Sequence, residues 1–294
     1  MKQYTSLYFV GAGGIGMSAL VRYFLAKGYK VAGYDRTQSP LTTELKTEGL
    51  EIVYEESVES IPDYCRNPET TLVVYTPAIP ASHSGLVYFR EHGFRVVKRA
   101  ELLGLITQSS KGLCFAGTHG KTTTSSMAAH IFHESPIGCN AFLGGILRNY
   151  NSNLILSEQS PFTVIEADEY DRSFHWLHPY MAVVTATDPD HLDIYGTEEA
   201  YLESFAHFTS LIQPGGCLIM KKGIKLVPNV KEGVKIYTYS ARDGGDFHAG
   251  NIRIGDGTIV FDFVTPEGSV ADIELGVPVE INIENAVDAM AIAW

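Results

Sequence analysis

Apolar positions along this chain follow two periods. Runs at residues 7–10, 30–34 and 72–75, apolar but for Lys30, have the length of buried strands. Between the first two, Leu20, Tyr23 and Phe24 recur at helical spacing within residues 17–27. Strand alternating with helix predicts βαβ units and a parallel sheet. The polar stretch 107–112 then precedes a fresh apolar run at 113–116. A boundary placed there divides the chain into a first domain over residues 1–108 and a second over 109–294. In the second, strands are predicted at 113–116, 162–166 and 181–185, with a helix over 121–133, which makes another α/β sheet. From 235 to 279 the pattern changes: Ile252, Ile254, Ile259, Phe261 and Phe263 alternate around Gly255-Asp256-Gly257. Alternation about Asp-Gly is a hairpin signature and predicts a small antiparallel sheet appended to the second domain. Residues 283–294 read as an amphipathic helix that stops at apolar Trp294 with no C-cap glycine, so the natural protein is expected to continue.

Composition narrows the function classes. The chain has 294 residues, 45% of them hydrophobic and 19% charged, which suits a globular protein with a sizeable core. A net charge of -12 argues against a general nucleic-acid or anionic-membrane surface. It leaves room for a phosphate ligand held by oriented backbone N–H groups. Cys65, Cys114, Cys139 and Cys217 form no CxxC pattern, so they read as reduced thiols of a cytoplasmic enzyme. Residues 5–21 are uncharged, but Gly11, Gly13, Gly14 and Gly16 interrupt them and no A-x-A site follows. They read as a strand and loop instead of a signal peptide, and no stretch is long and apolar enough to span a bilayer.

Two glycine-rich loops carry the candidate chemistry. Gly11-Ala12-Gly13-Gly14-Ile15-Gly16 fits G-x-G-x-x-G, directly after a strand and before a helix. Glycine lets phosphates approach the backbone, and the helix start supplies unpaired N–H groups. Asp35 ends the next strand, where an acid can bond a ribose hydroxyl. NAD, FAD and a UDP-sugar could all use this loop. Gly117-Thr118-His119-Gly120-Lys121-Thr122 also lies between a strand and a helix. Its Gly-Lys-Thr core suits a triphosphate: amides wrap the phosphates, the ammonium neutralises their oxygens, and the hydroxyl binds Mg2+. Phe115 stands where a phosphate loop of standard spacing has its first glycine. Thr118 and Thr123 offer further hydroxyls or helix caps.

Beyond the strand at 162–166, Glu166, Asp168, Glu169 and Asp171 supply four carboxylates at the carboxyl edge of a sheet. Mg2+ prefers oxygen ligands, and Glu166, nearest the strand, is the expected one. Asp190 and His191 follow the next strand and are expected near the same edge. His130, His133 and His175 read as surface or packing residues, and His175-Trp176 as a core or domain-contact pair.

With these motifs in order, together with Glu166-Ala167-Asp168-Glu169 and Asp190-His191-Leu192-Asp193-Ile194-Tyr195, the sequence resembles the Mur ligases of peptidoglycan synthesis. The resemblance implies a Rossmann-like UDP-sugar domain and a central phosphate-loop ATPase domain, with the family's C-terminal amino-acid-binding domain missing from this chain, which alone would not complete catalysis. It is nearest the branch that joins L-alanine to UDP-N-acetylmuramate with ATP and Mg2+, in the cytoplasm. In that chemistry the sugar carboxylate takes the γ-phosphoryl group of ATP, and the amine displaces phosphate. Position by position, Lys121 would stabilise the phosphoryl group, Thr122 and Glu166 would hold one Mg2+, and His191 a second. Gly117, Thr118, His119, Gly120, Thr123 and Asn285 would complete the ATP site, Asn285 towards the adenine. Gly11, Gly13, Gly14, Ile15, Gly16, Asp35 and Arg99 would hold the UDP-sugar. Tyr170 departs from the alanine-adding pattern, which commonly has serine there, and is similar to the ligase that recycles a murein tripeptide. Two further alternatives are a nicotinamide oxidoreductase built on the first loop, which leaves Gly-Lys-Thr unexplained, and a non-catalytic nucleotide-binding protein.

Overall fold

The computed structural model describes residues 3–242 and 244–294. Every residue of β1 (Ser6–Val10) is buried, as expected of a strand covered on both faces by crossover helices. It leads through the first glycine loop to α1 (Ile15–Ala26), followed by β2 (Lys30–Tyr34), α2 (Pro40–Thr47) and β3 (Glu51–Val53). Then come β4 (Thr71–Tyr75), α3 (Ser84–Glu91), β5 (Arg95–Lys98) and α4 (Arg99–Thr107). The five strands are parallel, in the order β3-β2-β1-β4-β5. The order reverses between β1 and β4, the point at which open α/β sheets leave a crevice beyond their carboxyl ends.

The next segment supplies β6 (Lys111–Ala116), α5 (Lys121–Glu134), β7 (Asn140–Leu147), β8 (Ser152–Ile155), β9 (Phe162–Glu166) and β10 (Pro179–Val184). It continues with α6 (Leu192–Tyr195), α7 (Glu198–Ser210), β11 (Cys217–Lys221), β12 (Lys235–Ser240), β13 (Phe247–Gly255), β14 (Thr258–Thr265), β15 (Gly268–Leu275) and α8 (Ile281–Ala293). Strand β6 lies between β9 and β10, all parallel, so the loops leaving these three strands meet at one sheet edge.

The chain folds into two compact units. The first runs to Ile106 and also takes in Gly144–Leu156; the second holds Thr107–Leu143 and Ser157–Trp294. The chain thus leaves the second unit partway along β7 and returns after β8. Asn153 of that excursion is tied into the first unit, its amide donating to the Ile15 carbonyl and to Ser18 Oγ.

Three expectations change. The antiparallel strands are not a separate sheet: β12 joins β11 in parallel, β13 joins β12 in parallel, and the β13-β14 and β14-β15 pairs then run antiparallel at that edge. The hairpin between β13 and β14 is as read, with Asp256 and Gly257 both left-handed (φ 50° and 74°), the requirement of a two-residue turn. Helix α8 is not amphipathic. Ile283, Ala286, Val287, Asp288, Ala289, Ala291 and Ile292 bury positions all around its axis, because it packs against α5, β12 and β13. Trp176 is also not core: it is 47% exposed, while its neighbour His175 is packed on Phe174 and bonded to Ser204.

Candidate active site

In the second unit, strand β6 ends in a loop whose shape depends on glycine. Gly117 has φ 138° and Gly120 φ 84°. A Cβ at Gly117 would lie 2.8 Å from the Ala186 amide nitrogen and would overlap Thr185 Oγ1 outright. Thr185 Oγ1 in turn donates to the His119 carbonyl, and Thr118 Oγ1 donates to the Asp188 carbonyl at 2.8 Å. The loop is thus tied to the segment after β10. Helix α5 begins at Lys121 with no side-chain cap on its first amides, the arrangement that leaves N–H groups for an anion. Thr122 and Thr123 are exposed at this start.

Lys121 does not point to solvent. Its Nζ donates to the Gly117 carbonyl at 2.6 Å and lies 3.0 and 2.8 Å from the two carboxylate oxygens of Glu169. Glu169 is 1% exposed, and a carboxylate so far from water is stabilised only beside a counter-charge. The same carboxylate lies 3.9 Å from His191 Nε2. His191 takes the left-handed conformation (φ 53°), its N–H accepted by Asp190 Oδ1 at 2.7 Å. The Tyr170 ring meets its imidazole edge-on at 5.2 Å. Lysine, buried glutamate and histidine therefore form a continuous chain along the sheet edge.

Thr122 Oγ1 donates to Glu166 Oε1 at 3.0 Å. Two hard oxygen donors in contact fit Mg2+, which takes one or two protein oxygens and completes its shell with phosphate and water. Among the described residues no group of three or more His, Cys, Asp and Glu side chains forms a ready-made metal cage. Asn285, on α8, accepts from Thr124 Oγ1 at 3.3 Å and donates to Asn282 at 3.2 Å. Its Oδ1 would lie 3.1 Å from a Cβ at Gly120, which puts it at the phosphate loop.

The first unit holds its own cavity, of about 490 Å3, beyond β1 and β4. Gly11, Gly14, Tyr34, Asp35, Arg36 and His83 are among its walls. Gly11 and Ala12 donate their N–H groups back to the Tyr34 carbonyl. Gly13 donates to Asp35 Oδ2 at 2.7 Å, while Asp35 Oδ1 accepts from Thr37 N–H at 3.0 Å. Asp35 thus braces the loop and still faces the cavity. Arg99 packs on Gly16, where an added Cβ would lie 2.5 Å from Nη1. Gly14 and Ile15 are exposed at the start of α1.

The structure therefore brings Gly117, Thr118, His119, Gly120, Lys121, Thr122, Thr123, Glu166, His191 and Asn285 into one neighbourhood of the second unit. Gly11, Gly13, Gly14, Ile15, Gly16, Asp35 and Arg99 share one in the first. Sequence reasoning passed over Glu169, although it stands in the acidic run already singled out, and it passed over Thr185 and His83. No helix among the described residues is long and apolar enough to cross a membrane.

Comparison with known proteins agrees with this layout. A profile of the Mur ligase middle domain matches residues 115–293, and one described as the catalytic domain of the Mur ligase family matches residues 6–111. A Parabacteroides distasonis protein named UDP-N-acetylmuramate–L-alanine ligase is 67% identical over 294 residues, 100% of this chain and 64% of its own length. A protein of the same name from Phocaeicola vulgatus is 66% identical over 288 residues, 98% of this chain and 63% of its own. The chain thus spans just under two thirds of these relatives. Among solved structures, the UDP-N-acetylmuramate-alanine ligase of Thermotoga maritima superimposes with a TM-score of 0.80 at 24% identity, covering 98% of this chain and 64% of that one. The UDP-N-acetylmuramate:L-alanyl-γ-D-glutamyl-meso-diaminopimelate ligase of Neisseria meningitides gives 0.84 at 21% identity, covering 99% of this chain and 93% of that one. At these identities the two structures establish the fold alone.

Proposed function

Because the chain belongs to the Mur ligase family, we propose that it carries the UDP-sugar and ATP sites of a cytoplasmic ligase that joins L-alanine to UDP-N-acetylmuramate. The observation that carries the proposal is Lys121, held at the phosphate loop by buried Glu169 beside the Thr122–Glu166 pair and His191. The first unit's cavity takes the UDP-sugar and the glycine loop of the second unit takes ATP. The four buried, unpaired cysteines suit a reducing compartment.

A carboxylate is a poor electrophile, so it must first be activated. One of its oxygens attacks the γ-phosphorus of ATP, the bond to the β-phosphate oxygen breaks, and ADP leaves. The L-alanine amine then attacks the acyl carbon of the acyl phosphate, inorganic phosphate departs, and the amine loses a proton as the amide forms. The protein's part is positioning and charge neutralisation. Lys121 exchanges Glu169 for the phosphoryl oxygens, and the first-turn amides of α5 donate to the phosphates. Thr122 and Glu166 would hold Mg2+, and His191 a second ion; the metal supplies Lewis-acid stabilisation of phosphoryl charge. Until ATP binds, Glu169 holds Lys121 beside His191, and Asn285 braces the loop.

Calorimetric titration of the chain with UDP-N-acetylmuramate, ATP with Mg2+, and NADH tests the reading. Binding of the first two without NADH supports it; binding of NADH alone overturns it in favour of an oxidoreductase. A second reading, in which the amine belongs to a tripeptide, is favoured by Tyr170, whose ring borders His191. It is separated by offering the whole enzyme L-alanine and a tripeptide in competition.

A further inference from the structure

A series of hydrogen bonds runs behind the candidate active site, and its polarity is fixed at one end. Glu169, the buried carboxylate that holds Lys121, leads into the turn Tyr170–Trp176, in which Asp171 and Arg172 both take left-handed φ. The Glu169 carbonyl accepts from Tyr195 Oη. A carbonyl can only accept, so the tyrosine hydrogen is committed there and Oη keeps its lone pairs for another donor. Ser204 Oγ, on α7, is that donor at 3.4 Å, the longest link of the series. Ser204 Oγ in turn lies 2.9 Å from His175 Nε2, and the Ser204 carbonyl lies 3.0 Å from the same nitrogen. The carbonyl has no hydrogen to give, so Nε2 carries the proton and donates to Ser204. Every hydrogen therefore points one way, from His175 through Ser204 and Tyr195 to the backbone of Glu169.

The surroundings hold this series in place. Ser204 and Tyr195 are both buried. The Tyr195 ring meets Tyr201 edge-on at 4.9 Å, and the Arg172 guanidinium lies 4.7 Å from its centre. The His175 imidazole stacks on Phe174 at 4.8 Å and meets His207 edge-on at 4.4 Å. Burial lowers the pKa of His175, and His207 and Arg172 act the same way, against the Ser204 carbonyl. The ring is therefore neutral, with its one hydrogen on Nε2. Stacking accounts for an aromatic ring at this position; it does not account for the aligned hydrogens, since phenylalanine would stack as well. Buried hydroxyls that lose a partner are costly. A turn with two residues in a sparsely populated conformation keeps its shape only while its surroundings hold it. Cutting the series at His175 therefore loosens the Glu169 turn, and with it the seat of Lys121.

We propose that His175 is a positioning residue for the phosphoryl-handling lysine: its Nε2–H orients Ser204 and Tyr195, and the tyrosine hydroxyl fixes the Glu169 turn that sets Lys121 for ATP. This rests on the reading of the second unit's glycine loop as the ATP site. The test is calorimetric titration of the 294-residue chain with ATP and Mg2+, in wild type, His175→Phe, His175→Gln and Ser204→Ala, each checked for folding by urea unfolding. His175→Phe keeps a stacked ring and removes the donor; it should weaken ATP binding about fivefold, the worth of one hydrogen bond. His175→Gln loses the ring but offers an amide N–H in place of Nε2–H, and should restore binding to within about twofold of wild type. Ser204→Ala should show the same loss as His175→Phe, and the double variant should lose no more than either alone, because both cut one series. Nitrogen-15 spectra of the imidazole should show His175 as the Nε2–H tautomer. A packing role predicts the opposite order, with phenylalanine tolerated and glutamine impaired. That order, the Nδ1–H tautomer, or ATP binding as tight as wild type in folded His175→Phe overturns the role of His175 and leaves the ATP site standing. If the phenylalanine variant does not fold, undiminished binding by Ser204→Ala overturns it in the same way. Failure of wild type to bind ATP removes the site assignment and this inference with it.

Discussion

Replacing Asp288 should alter how the stability of the second unit depends on pH. Asp288 sits on α8, fully buried, and neither carboxylate oxygen meets a donor in hydrogen-bonding geometry among the described residues. Burial pushes its carboxyl well above the usual range, and the charge of Glu284, which pairs with Lys221 at 2.8 Å, pushes the same way. The hydroxyl of nearby Tyr239, itself buried, acts in the opposite direction. Unfolding exposes the acid, which then loses its proton near pH ~3.9. Between the unfolded and folded values the native state holds one proton more. Stability from this group is therefore complete below the unfolded value and falls as pH rises towards the folded one. One proton corresponds to a slope of about -1.4 kcal/mol per pH unit across that window. Asp288→Asn should remove this contribution, as should Asp288→Leu, and each variant should gain on wild type steadily from about pH 4 upward. Urea unfolding followed by tryptophan fluorescence measures it, since Trp176 and Trp294 both belong to the second unit. Parallel pH profiles for wild type and both variants would refute the assignment of a proton to Asp288 in the folded state.

Three further outcomes are expected. Gly117→Ala places a Cβ against Thr185 and Ala186 at a left-handed φ; it should cost about 3 kcal/mol in urea unfolding and abolish ATP binding by calorimetry. Lys121→Ala should destabilise by about 3 kcal/mol because it strands buried Glu169, and should also eliminate ATP binding; the Lys121→Ala/Glu169→Leu double variant should recover most of the stability and none of the binding. Burial pushes the Cys65 and Cys139 thiols up to about 12 and that of Cys217 to about 11, and it raises buried Cys114 as well. A thiol reagent at pH near ~8 should therefore label almost none of the four in the native chain and all of them in urea.

Much of the parallel framework was legible because its cues are local. Strands β2 and β9 run over the residues that the apolar runs mark, and α5 starts at the lysine of the second loop. The Asp256-Gly257 turn needs only two residues to declare itself. What escaped depends on distant partners. The direction in which β12 pairs is set by β11 and β13, and the burial of α8 on every side is set by α5 and two strands. Glu169 escaped for a subtler reason. Glu166 was chosen as the carboxylate nearest the strand, but the chain continues past it, with the Ala167 N–H still bonded to Phe115. It then folds into a tight turn in which Asp171 and Arg172 both adopt left-handed φ, 52° and 54°. The Arg172 and Phe174 amides close that turn on the Glu169 and Asp168 carbonyls, and Tyr195 Oη donates to the Glu169 carbonyl from below. This carries the Glu169 carboxylate back under Lys121. Left-handed turns are usually announced by glycine or asparagine, and neither stands at these positions. Two consecutive residues in a sparsely populated conformation persist only where their surroundings over-determine them. The strain in the backbone and the placement of the buried carboxylate are therefore one feature, concentrated where the phosphoryl-handling lysine must be held.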